Sequence, residues 1–422
     1  MATSRGLNYV YEFLTWRPIG FIPGGKPSTQ ANMNLTNENL QRIKSAAQDR
    51  AAVSGATHRF YRYPARFSPQ FARAAIETFT NEGDLVLDPF VGGGTTAVEA
   101  LRANRKCIGA DINELAVFVS EVKSTVLSEA ETLTIRSWLQ SFESQLKISR
   151  DGHSNHEWRE KGYFRHLDGP ETWRHRNIIS AALGEIERLK CKRLENFSRC
   201  VVLRSAQLSL DGRKHLMSVS ELRDKFSKHF SSMLADMDQL RSELNELEGT
   251  YVPRIIKCNS SELHNNELVA REGSPKLIIT SPPYPGVHVL YHRWQVNGRR
   301  ETPAPYWIAN KLDGDGERYY TLGNRHEKEL KTYFNNLESI YSSLAKISDA
   351  DTIIVQMVAF SEPEWQLPKY LEVMKTAGLE EVEPPAAGND RIWREVPNRK
   401  WHAERQKRKS GSREVVLFHK KH

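Results

Sequence analysis

A short apolar run followed by two prolines places the strongest constraint on the fold of this chain. The run occupies residues 277–280 and ends in Ser281, Pro282, Pro283 and Tyr284. Short apolar runs rich in β-branched residues indicate buried strands. The prolines end the strand because they lack the N–H group that a neighbouring strand would need. The pattern therefore predicts a strand inside a sheet with a rigid loop at its carboxyl end.

The loop after this strand combines acceptor groups with an aromatic ring. The prolines leave the carbonyl oxygens of Ser281 and Pro282 free to accept hydrogen bonds, and Tyr284 adds a flat face. Two rigid acceptors beside a ring suit an exocyclic amino group of a nucleobase, which donates both hydrogens while its base stacks. A Pro-Pro pair after a strand is also common as a simple turn, so the tetrapeptide alone leaves both interpretations open.

An earlier stretch has the pattern of a strand, a glycine-rich turn and a helix. The strand ends in Asp88, and glycines at 92–94 precede the helix. Glycine lets the backbone approach a ligand closely. We expect Thr95 or Thr96 to cap the helix, because a threonine hydroxyl can accept from the free N–H groups of the first turn.

Acidic residues end both of the first two predicted strands. The second strand, 106–111, ends in Asp111, where a nucleotide-binding fold holds a ribose diol. The glycines do not have the Gly-x-Gly-x-x-Gly spacing of a dinucleotide site. The sequence Asp88-Pro89-Phe90 places a carboxylate where it would repel a pyrophosphate but would suit the ammonium of an amino-acid group. This combination points to S-adenosylmethionine.

Together, the glycine turn and the tetrapeptide resemble those of the amino-group DNA methyltransferases, particularly the N4-cytosine branch. The resemblance covers roughly residues 58–125 and 251–420. It implies a Rossmann-like α/β fold, with a mostly parallel sheet and an antiparallel hairpin at its C-terminal edge. In that family the glycine turn holds S-adenosylmethionine, the acid after the second strand binds its ribose, and the tetrapeptide binds the target amine.

The resemblance also assigns residues to the two halves of the site. The catalytic residues it implies are Ser281, Pro282, Pro283 and Tyr284. The cofactor residues it implies are Phe67, Asp88, Pro89, Phe90, Gly92, Gly94, Thr95, Asp111, Asn259 and Ser260. Many relatives have an acid near Asn259 and Ser260 that contacts the adenine amine, and here an amide takes its place.

The implied reaction is transfer of a methyl group from S-adenosylmethionine to N4 of a cytosine flipped out of double-stranded DNA. A serine at position 281 favours cytosine in this family. Three alternatives stay open: an N6-adenine DNA methyltransferase, an RNA amino-group methyltransferase, and a catalytically silent DNA-binding subunit that keeps the fold.

The composition and the helical patterns divide the chain into four segments. We predict an N-terminal arm at 1–57, the two halves of a methyltransferase core at 58–124 and 251–422, and an inserted helical domain at 125–250. In the insert, apolar residues recur at steps of four and three, which predicts a long helix ended by Gly249. The stripe consists of Leu222, Phe226, Phe230, Met233, Met237, Leu240, Leu244 and Leu247.

Two segments are candidates for reading the DNA sequence. The insert interleaves aromatic residues such as Trp138, Trp158 and Tyr163 with many arginines, which suits a nucleic-acid surface. An ordinary helical domain with arginine on its solvent-exposed face would show the same pattern. The loop 285–325 follows the tetrapeptide and is rich in Arg, His and Trp, so we expect it to face the DNA.

The remaining composition fits a DNA-associated protein of a bacterial or archaeal cytoplasm. The net charge of +8 and the pI of about 9.1 are consistent with a polyanionic partner. Four cysteines without metal-type spacing favour a reducing compartment and no metal site. No apolar run suggests a membrane span. Acids and lysines show no nuclease pattern, so any restriction activity would belong to a separate endonuclease.

Overall fold

The computed structural model describes most of the chain beyond the first 35 residues. The described residues are 36–49, 51, 53, 55–63, 67–146, 156–213, 215–247, 249–285, 293–298, 300–314, 322–324, 327–382, 391–395 and 413–422. The predicted arm at 1–57 and the loop at 285–325 therefore lie partly outside them.

One sheet carries most of the strands. Its strands are β1 (Leu85–Asp88), β2 (Lys106–Asp111), β3 (Arg254–Lys257), β4 (Leu277–Thr280), β7 (Ile353–Ala359), β8 (Leu379–Glu381), β9 (Ile392–Glu395) and β10 (Arg413–Lys421). A separate two-stranded sheet pairs β5 (Trp294–Val296) with β6 (Arg300–Thr302). The main sheet has the order β3-β2-β1-β4-β7-β10-β8, and β9 also pairs with β10. The pairs from β3 to β7 are parallel, whereas β10 runs antiparallel to β7, β8 and β9.

This topology confirms the predicted fold class. The predicted parallel strands occur where the apolar runs place them, and β9 and β10 form the expected antiparallel pair at the C-terminal side of the sheet. The sequence did not predict β8, which pairs with the end of β10 beyond β9. A three-residue strand is too short to leave a periodic signal.

Thirteen α-helices in the described residues surround the strands. They are α1 (Asn37–Gln48), α2 (Pro69–Phe79), α3 (Thr95–Arg102), α4 (Glu114–Ser124), α5 (Glu129–Gln145), α6 (His156–Glu160), α7 (Trp173–Glu187), α8 (Lys192–Leu210), α9 (Val219–Asn245), α10 (Glu267–Glu272), α11 (Ala304–Ala309), α12 (Lys331–Ile347) and α13 (Pro363–Thr376). Short 3-10 helices occur at Ser260–Asn265 and Lys328–Leu330. None of these described helices is long and apolar enough to cross a bilayer.

Two layers of helices cover the faces of the parallel strands. On one face, α1 and α2 pack against alternate strand residues such as Val86 and Ile279. On the other face, α12 and α13 pack against the intervening strand residues, such as Leu87 and Ile278. Successive strand residues point to opposite faces, so strands with apolar residues at every position must be covered on both sides. The sheet is therefore the middle layer of a three-layer α/β fold.

The helices α5 to α9, called here the helical layer, form the described structure of residues 125–250. In α9 seven of the eight residues of the predicted apolar stripe are buried, but the helix ends at Asn245, so Leu247 lies beyond it and is partly buried. A capping box between Ser218 and Glu221 fixes its start. The helical layer shares one hydrophobic cluster with α4 and with residues 294–309. The division of the chain into domains remains a prediction, and this shared cluster ties the helical layer to the core.

The turn between β1 and α3 depends on its last glycine. Gly94 has a left-handed φ of +76°, and a Cβ at this position would lie 2.9 Å from the Cα of Ser120 on α4. The left-handed conformation and the close contact with the α4 backbone each disfavour any residue that has a side chain.

We expect Gly94→Ala to lower the free energy of unfolding by about 1–3 kcal/mol. Gly184 in α7 offers a matched control, because a Cβ there meets nothing within 4 Å. Gly184→Ala should leave stability unchanged or raise it by up to about 1 kcal/mol, since glycine is costly inside a helix. Urea unfolding of the two variants tests this, and equal midpoints would contradict it.

Candidate active site at the carboxyl ends of the parallel strands

A cavity opens where β1, β2 and β4 end. It has a volume of about 1040 Å³, including the part open to solvent. Its lining residues are Tyr63, Phe67, Asp88, Phe90, Val91, Gly92, Gly93, Thr95, Asp111, Ile112, Asn113, Asn259, Ser260, Ser281, Pro282, Pro283, Tyr284, Leu322 and Ile340. The glycine turn and the tetrapeptide therefore face each other across one cavity, as the two motifs require.

Most of the predicted site residues line this cavity, and two do not. Pro89 lies behind it, where its carbonyl accepts a 2.6 Å hydrogen bond from the Ser260 hydroxyl. Gly94 begins α3 and packs against Ser120. Both residues shape the turn without reaching the cavity surface.

The sequence interpretation missed several lining residues. They are Tyr63, Val91, Gly93, Ile112, Asn113, Leu322 and Ile340. Proximity to the motifs was a usable signal for Gly93 and Asn113, which lie inside or beside them. Leu322 and Ile340 carry no such signal, because only the folded chain brings them to the tetrapeptide.

Asp88 connects the two halves of the site. Its Oδ2 accepts a 2.6 Å bond from the Thr96 hydroxyl, and its Oδ1 accepts a 3.0 Å bond from the Thr280 hydroxyl. The backbone N–H of Phe90 also donates to Oδ1 at 3.1 Å. The side chain is 2% exposed, and burial raises its pKa to about 6 against the pull of these donors. The carboxylate thus joins β1, β4 and α3 in addition to lining the cavity.

The glycine turn is held from behind by α4 and by Tyr63. The Ser120 hydroxyl donates to the Gly92 carbonyl at 2.9 Å, and the buried Lys123 ammonium donates to the Gly93 carbonyl at 2.8 Å. A Cβ on Gly93 would lie 2.7 Å from the Cβ of Tyr63. Glycine is therefore required here by close packing within the protein, beyond the close approach to a ligand that the sequence suggests.

Asp111 presents a carboxylate at the end of β2. Its oxygens accept hydrogen bonds from the backbone N–H groups of Gly92 at 3.1 Å and Asn113 at 2.9 Å. Burial raises its pKa to about 6, and these backbone donors oppose the rise. A carboxylate oxygen can accept more than one hydrogen bond, so capacity remains for the hydroxyls of a ribose.

The two threonines after the glycines have different partners. Gly94, and not a threonine, is the cap residue of α3, so the predicted cap by Thr95 or Thr96 is wrong. Thr96 instead donates to Asp88. The Thr95 hydroxyl is buried, lines the cavity and has no hydrogen-bond partner among the described residues. Buried hydroxyls in proteins normally have partners, so this one points to a ligand at the start of α3.

Hydrogen bonds from neighbouring elements hold the tetrapeptide in place on its side of the cavity. The Tyr333 hydroxyl donates to the Pro283 carbonyl at 2.8 Å, and the Tyr284 hydroxyl donates to Glu414 Oε1 at 2.7 Å. Among the described residues, neither the Ser281 hydroxyl nor the Pro282 carbonyl has a hydrogen-bond partner from a turn, a loop or a side chain, and both residues line the cavity. Two acceptors are therefore left for a substrate.

Several aromatic residues predicted to contact nucleic acid are buried inside the protein. Tyr163 and Phe164 are buried in the core of the helical layer, and Trp138 and Trp158 pack against that core. Trp294, expected on a loop facing DNA, is 2% exposed and donates to the Tyr61 hydroxyl at 3.1 Å. The interpretation as stacking surfaces is wrong for Tyr163 and Trp294, because protein covers these rings, whereas Trp138 and Trp158 are partly buried and their role stays a prediction. Residues 286–292, 299 and 315–321 lie outside the described residues.

Comparison with known proteins shows what parts of the chain are similar to. Residues 7–121 match the family described as DNA methylase, of the N6 and N4 amino-methyltransferases. The chain is 46% identical over 54 residues to the orphan methyltransferase M.BamHII of Bacillus amyloliquefaciens, covering 13% of this chain and 20% of that protein. It is 37% identical over 78 residues to the Type II methyltransferase M.MvaI of Kocuria varians, covering 18% of this chain and 17% of that protein.

These matches confirm the predicted resemblance to the amino-group DNA methyltransferases and S-adenosylmethionine as the cofactor of that class. The matched segments span a fifth or less of these two relatives, so activity and substrate are proposed below. The rRNA methyltransferase aviRa of Streptomyces viridochromogenes superimposes with a TM-score of 0.35 and 11% identity, over 88% of this chain and 94% of that one. The fold assignment rests on the strand order itself.

The residues of the cavity fit S-adenosylmethionine. The partnerless Thr95 hydroxyl lies at the start of α3, and the Asp111 carboxylate retains capacity for a ribose diol. Phe67 and Phe90 supply apolar surface to the same cavity. We infer that Asn259 and Ser260, at the exit of β3, contact the adenine, and that Asp88 faces the ammonium group.

The pair of threonines allows a sharp test of the cofactor side. We expect Thr95→Val to leave the free energy of unfolding unchanged or higher, because it removes a buried hydroxyl that has no protein partner. The same change should weaken S-adenosylmethionine binding by about tenfold. Thr96→Val is the matched control, which should lower stability by about 1–3 kcal/mol because Asp88 loses a donor. Calorimetric titration and urea unfolding measure both, and unchanged affinity in Thr95→Val would contradict the assignment.

Cofactor binding should depend on pH through Asp88 and Asp111, whose pKa values are both raised to about 6. The unfolded chain has ordinary carboxyl pKa values, so the folded protein binds protons more tightly. The free energy of unfolding without cofactor should therefore fall as pH rises through about 6. Cofactor affinity should rise over the same range, because an ammonium or a ribose hydroxyl favours the carboxylate. Titrations between about pH 5 and 7 check this, and an affinity that does not change with pH would refute it. Asp111→Asn should weaken the pH dependence, because it removes one of the two titrating carboxyl groups.

Proposed function

We propose that this protein transfers a methyl group from S-adenosylmethionine to the exocyclic N4 of a cytosine in double-stranded DNA. The observation that carries the proposal is the single cavity between the glycine turn and the tetrapeptide. It brings a place for a methyl donor and a pair of amine acceptors together in one cavity.

The tetrapeptide is suited to hold an amino group. The Ser281 hydroxyl and the Pro282 carbonyl would accept the two N–H bonds of the amine, and the Tyr284 ring would stack on the base. The lone pair of an aromatic amine is delocalised into its ring, which makes the nitrogen a poor nucleophile. Two acceptors favour a tetrahedral nitrogen, whose lone pair is available for attack. Positioning and electrostatics supply most of the acceleration in such a site.

S-Adenosylmethionine bound at the glycine turn would supply a methyl group from a positively charged sulfur, and the amine would give up one proton to water as S-adenosylhomocysteine is left behind. The chain itself needs no covalent intermediate, and no cysteine lines the cavity among the described residues. The base must leave the duplex to reach the tetrapeptide, and stacking on Tyr284 would offset part of the cost of unstacking.

The net charge of +8 supports DNA as the partner, because neutralising phosphates supplies affinity that does not depend on sequence. The helical layer, with exposed Arg165, Arg174 and Arg188, is our candidate for recognising the target site. Serine at position 281 supports cytosine over adenine as the target base.

Sequencing of genomic DNA with detection of modified bases tests the proposal directly. Expression in a bacterial host without its own DNA methylation should produce N4-methylcytosine within one short sequence context. Detection of N6-methyladenine instead would mean that adenine, and not cytosine, is the target base. Unmodified DNA together with methylated RNA would favour an RNA substrate. Unmodified nucleic acid of both kinds would overturn the proposal.

Variants of the tetrapeptide should separate transfer from cofactor binding. We expect Ser281→Ala and Tyr284→Ala each to lower the methylation rate by at least about tenfold while S-adenosylmethionine affinity stays within about twofold. Ser339→Ala, which removes an exposed hydroxyl on α12, is the control and should have wild-type activity. Incorporation of labelled methyl groups into DNA measures the rate. Normal turnover in both tetrapeptide variants would rule out the proposed roles.

A further inference from the structure

We propose that Glu414 is a positioning residue that holds the Tyr284 ring in place for the target base. This inference rests on the proposed function. Glu414 lies in β10, outside both motifs, and none of the predicted site residues includes it. Its Oε1 accepts the Tyr284 hydroxyl at 2.7 Å, and Tyr284 lines the cavity.

The position of Glu414 follows from the sheet. The strand β4 leads into the tetrapeptide and lies beside β7, whose last residue, Ala359, pairs with Glu414. The antiparallel strand β10 therefore begins at the edge of the sheet where the parallel strands end. A carboxylate at the start of β10 is close to the tetrapeptide although 130 residues separate Tyr284 from Glu414.

The buried charge of Glu414 has a cation opposite it. Glu414 is 4% exposed, and its cross-strand neighbour in β9 is Arg394. The Arg394 guanidinium contacts Glu414 Oε2, so one oxygen pairs with arginine and the other accepts from Tyr284. Arg394 also donates to the Ala47 carbonyl at 3.3 Å, which anchors it to α1. A hydrogen bond to a carboxylate is roughly twice as strong as one between neutral groups.

The Tyr284 ring is thus restrained at both ends. The prolines before it fix its backbone, and the carboxylate fixes its hydroxyl tip. A ring held in one orientation loses little conformational freedom when a base stacks on it, so binding favours the reactive geometry. Without the carboxylate, the same ring has more orientations, and fewer of them place the amine at Ser281 and Pro282.

Two single variants and their combination test this role. Tyr284→Phe keeps the ring and the Glu414–Arg394 pair but removes the hydroxyl, and Glu414→Gln removes the charge. We expect each to lower kcat by about tenfold at saturating DNA, with S-adenosylmethionine affinity within about twofold of the wild type. The double variant should be no more than about twofold slower than either single variant, because both changes remove one interaction.

Glu381→Gln is the matched control, since Glu381 and Arg391 form a similar carboxylate–arginine pair, at 2.8 and 2.9 Å, beside β10 but opposite His419, toward the other end of that strand from Glu414. A purely structural role for Glu414 would give the pattern of this control: a lower melting temperature with wild-type kcat. Wild-type kcat in Tyr284→Phe would overturn the inference, and this variant remains informative if Glu414→Gln does not fold. Additive losses in the double variant would overturn it as well.

The outcomes also separate this inference from the proposed function. A wild-type protein that methylates no DNA refutes the function itself. If the wild-type protein methylates DNA and the Tyr284→Phe and Glu414→Gln variants have the same kcat, only the role of Glu414 is refuted.

Discussion

The hydrogen bonds of Asp88 are the interaction on which the site depends. This one buried carboxylate accepts hydrogen bonds from the hydroxyls of Thr96, at the start of α3, and Thr280, at the end of β4. Thr280 lies 192 positions after Asp88 in the chain. The first half of the chain supplies the glycine turn and the second half supplies the tetrapeptide. Because one carboxylate bonds to both, the two loops keep a fixed separation across the cavity. A buried carboxylate without these donors would be costly, so the site and the local stability have a common origin.

Much of this arrangement was predictable from local patterns. Apolar runs at 85–88, 106–111 and 277–280 are buried on both faces, and such runs are typical of parallel strands with loops at their carboxyl ends. A serine followed by a proline is a typical helix start, and Ser68 and Pro69 begin α2, with the Ser68 hydroxyl accepting from the Phe71 N–H at 3.2 Å. These features depend on residues close together in the chain. They are the ones that sequence patterns describe best.

The remaining features depend on contacts between distant residues. Periodicity shows that a helix has an apolar face, but not which partner covers it. The sequence pattern predicts nucleic-acid contacts for Tyr163 and Trp294, but both rings are buried in one cluster with α4. It also predicts a threonine cap for α3, whereas Thr96 bonds to Asp88 and Gly94 is the cap residue. Glu414 could not be assigned at all, because its role follows from a strand pairing that no local pattern records.

The cluster shared by α4 and the helical layer has a consequence for engineering. The Tyr306 hydroxyl donates at 3.1 Å to Asn113, which caps α4 and lines the cavity, and Trp307 on the same short helix packs against Phe164 in the helical layer. A transplant of residues 125–250 from a relative would expose these surfaces unless α4 and residues 294–309 were exchanged with them. Exchange of the helical layer between relatives therefore requires a composite graft, in which two separate stretches of sequence, 114–250 and 294–309, are replaced together.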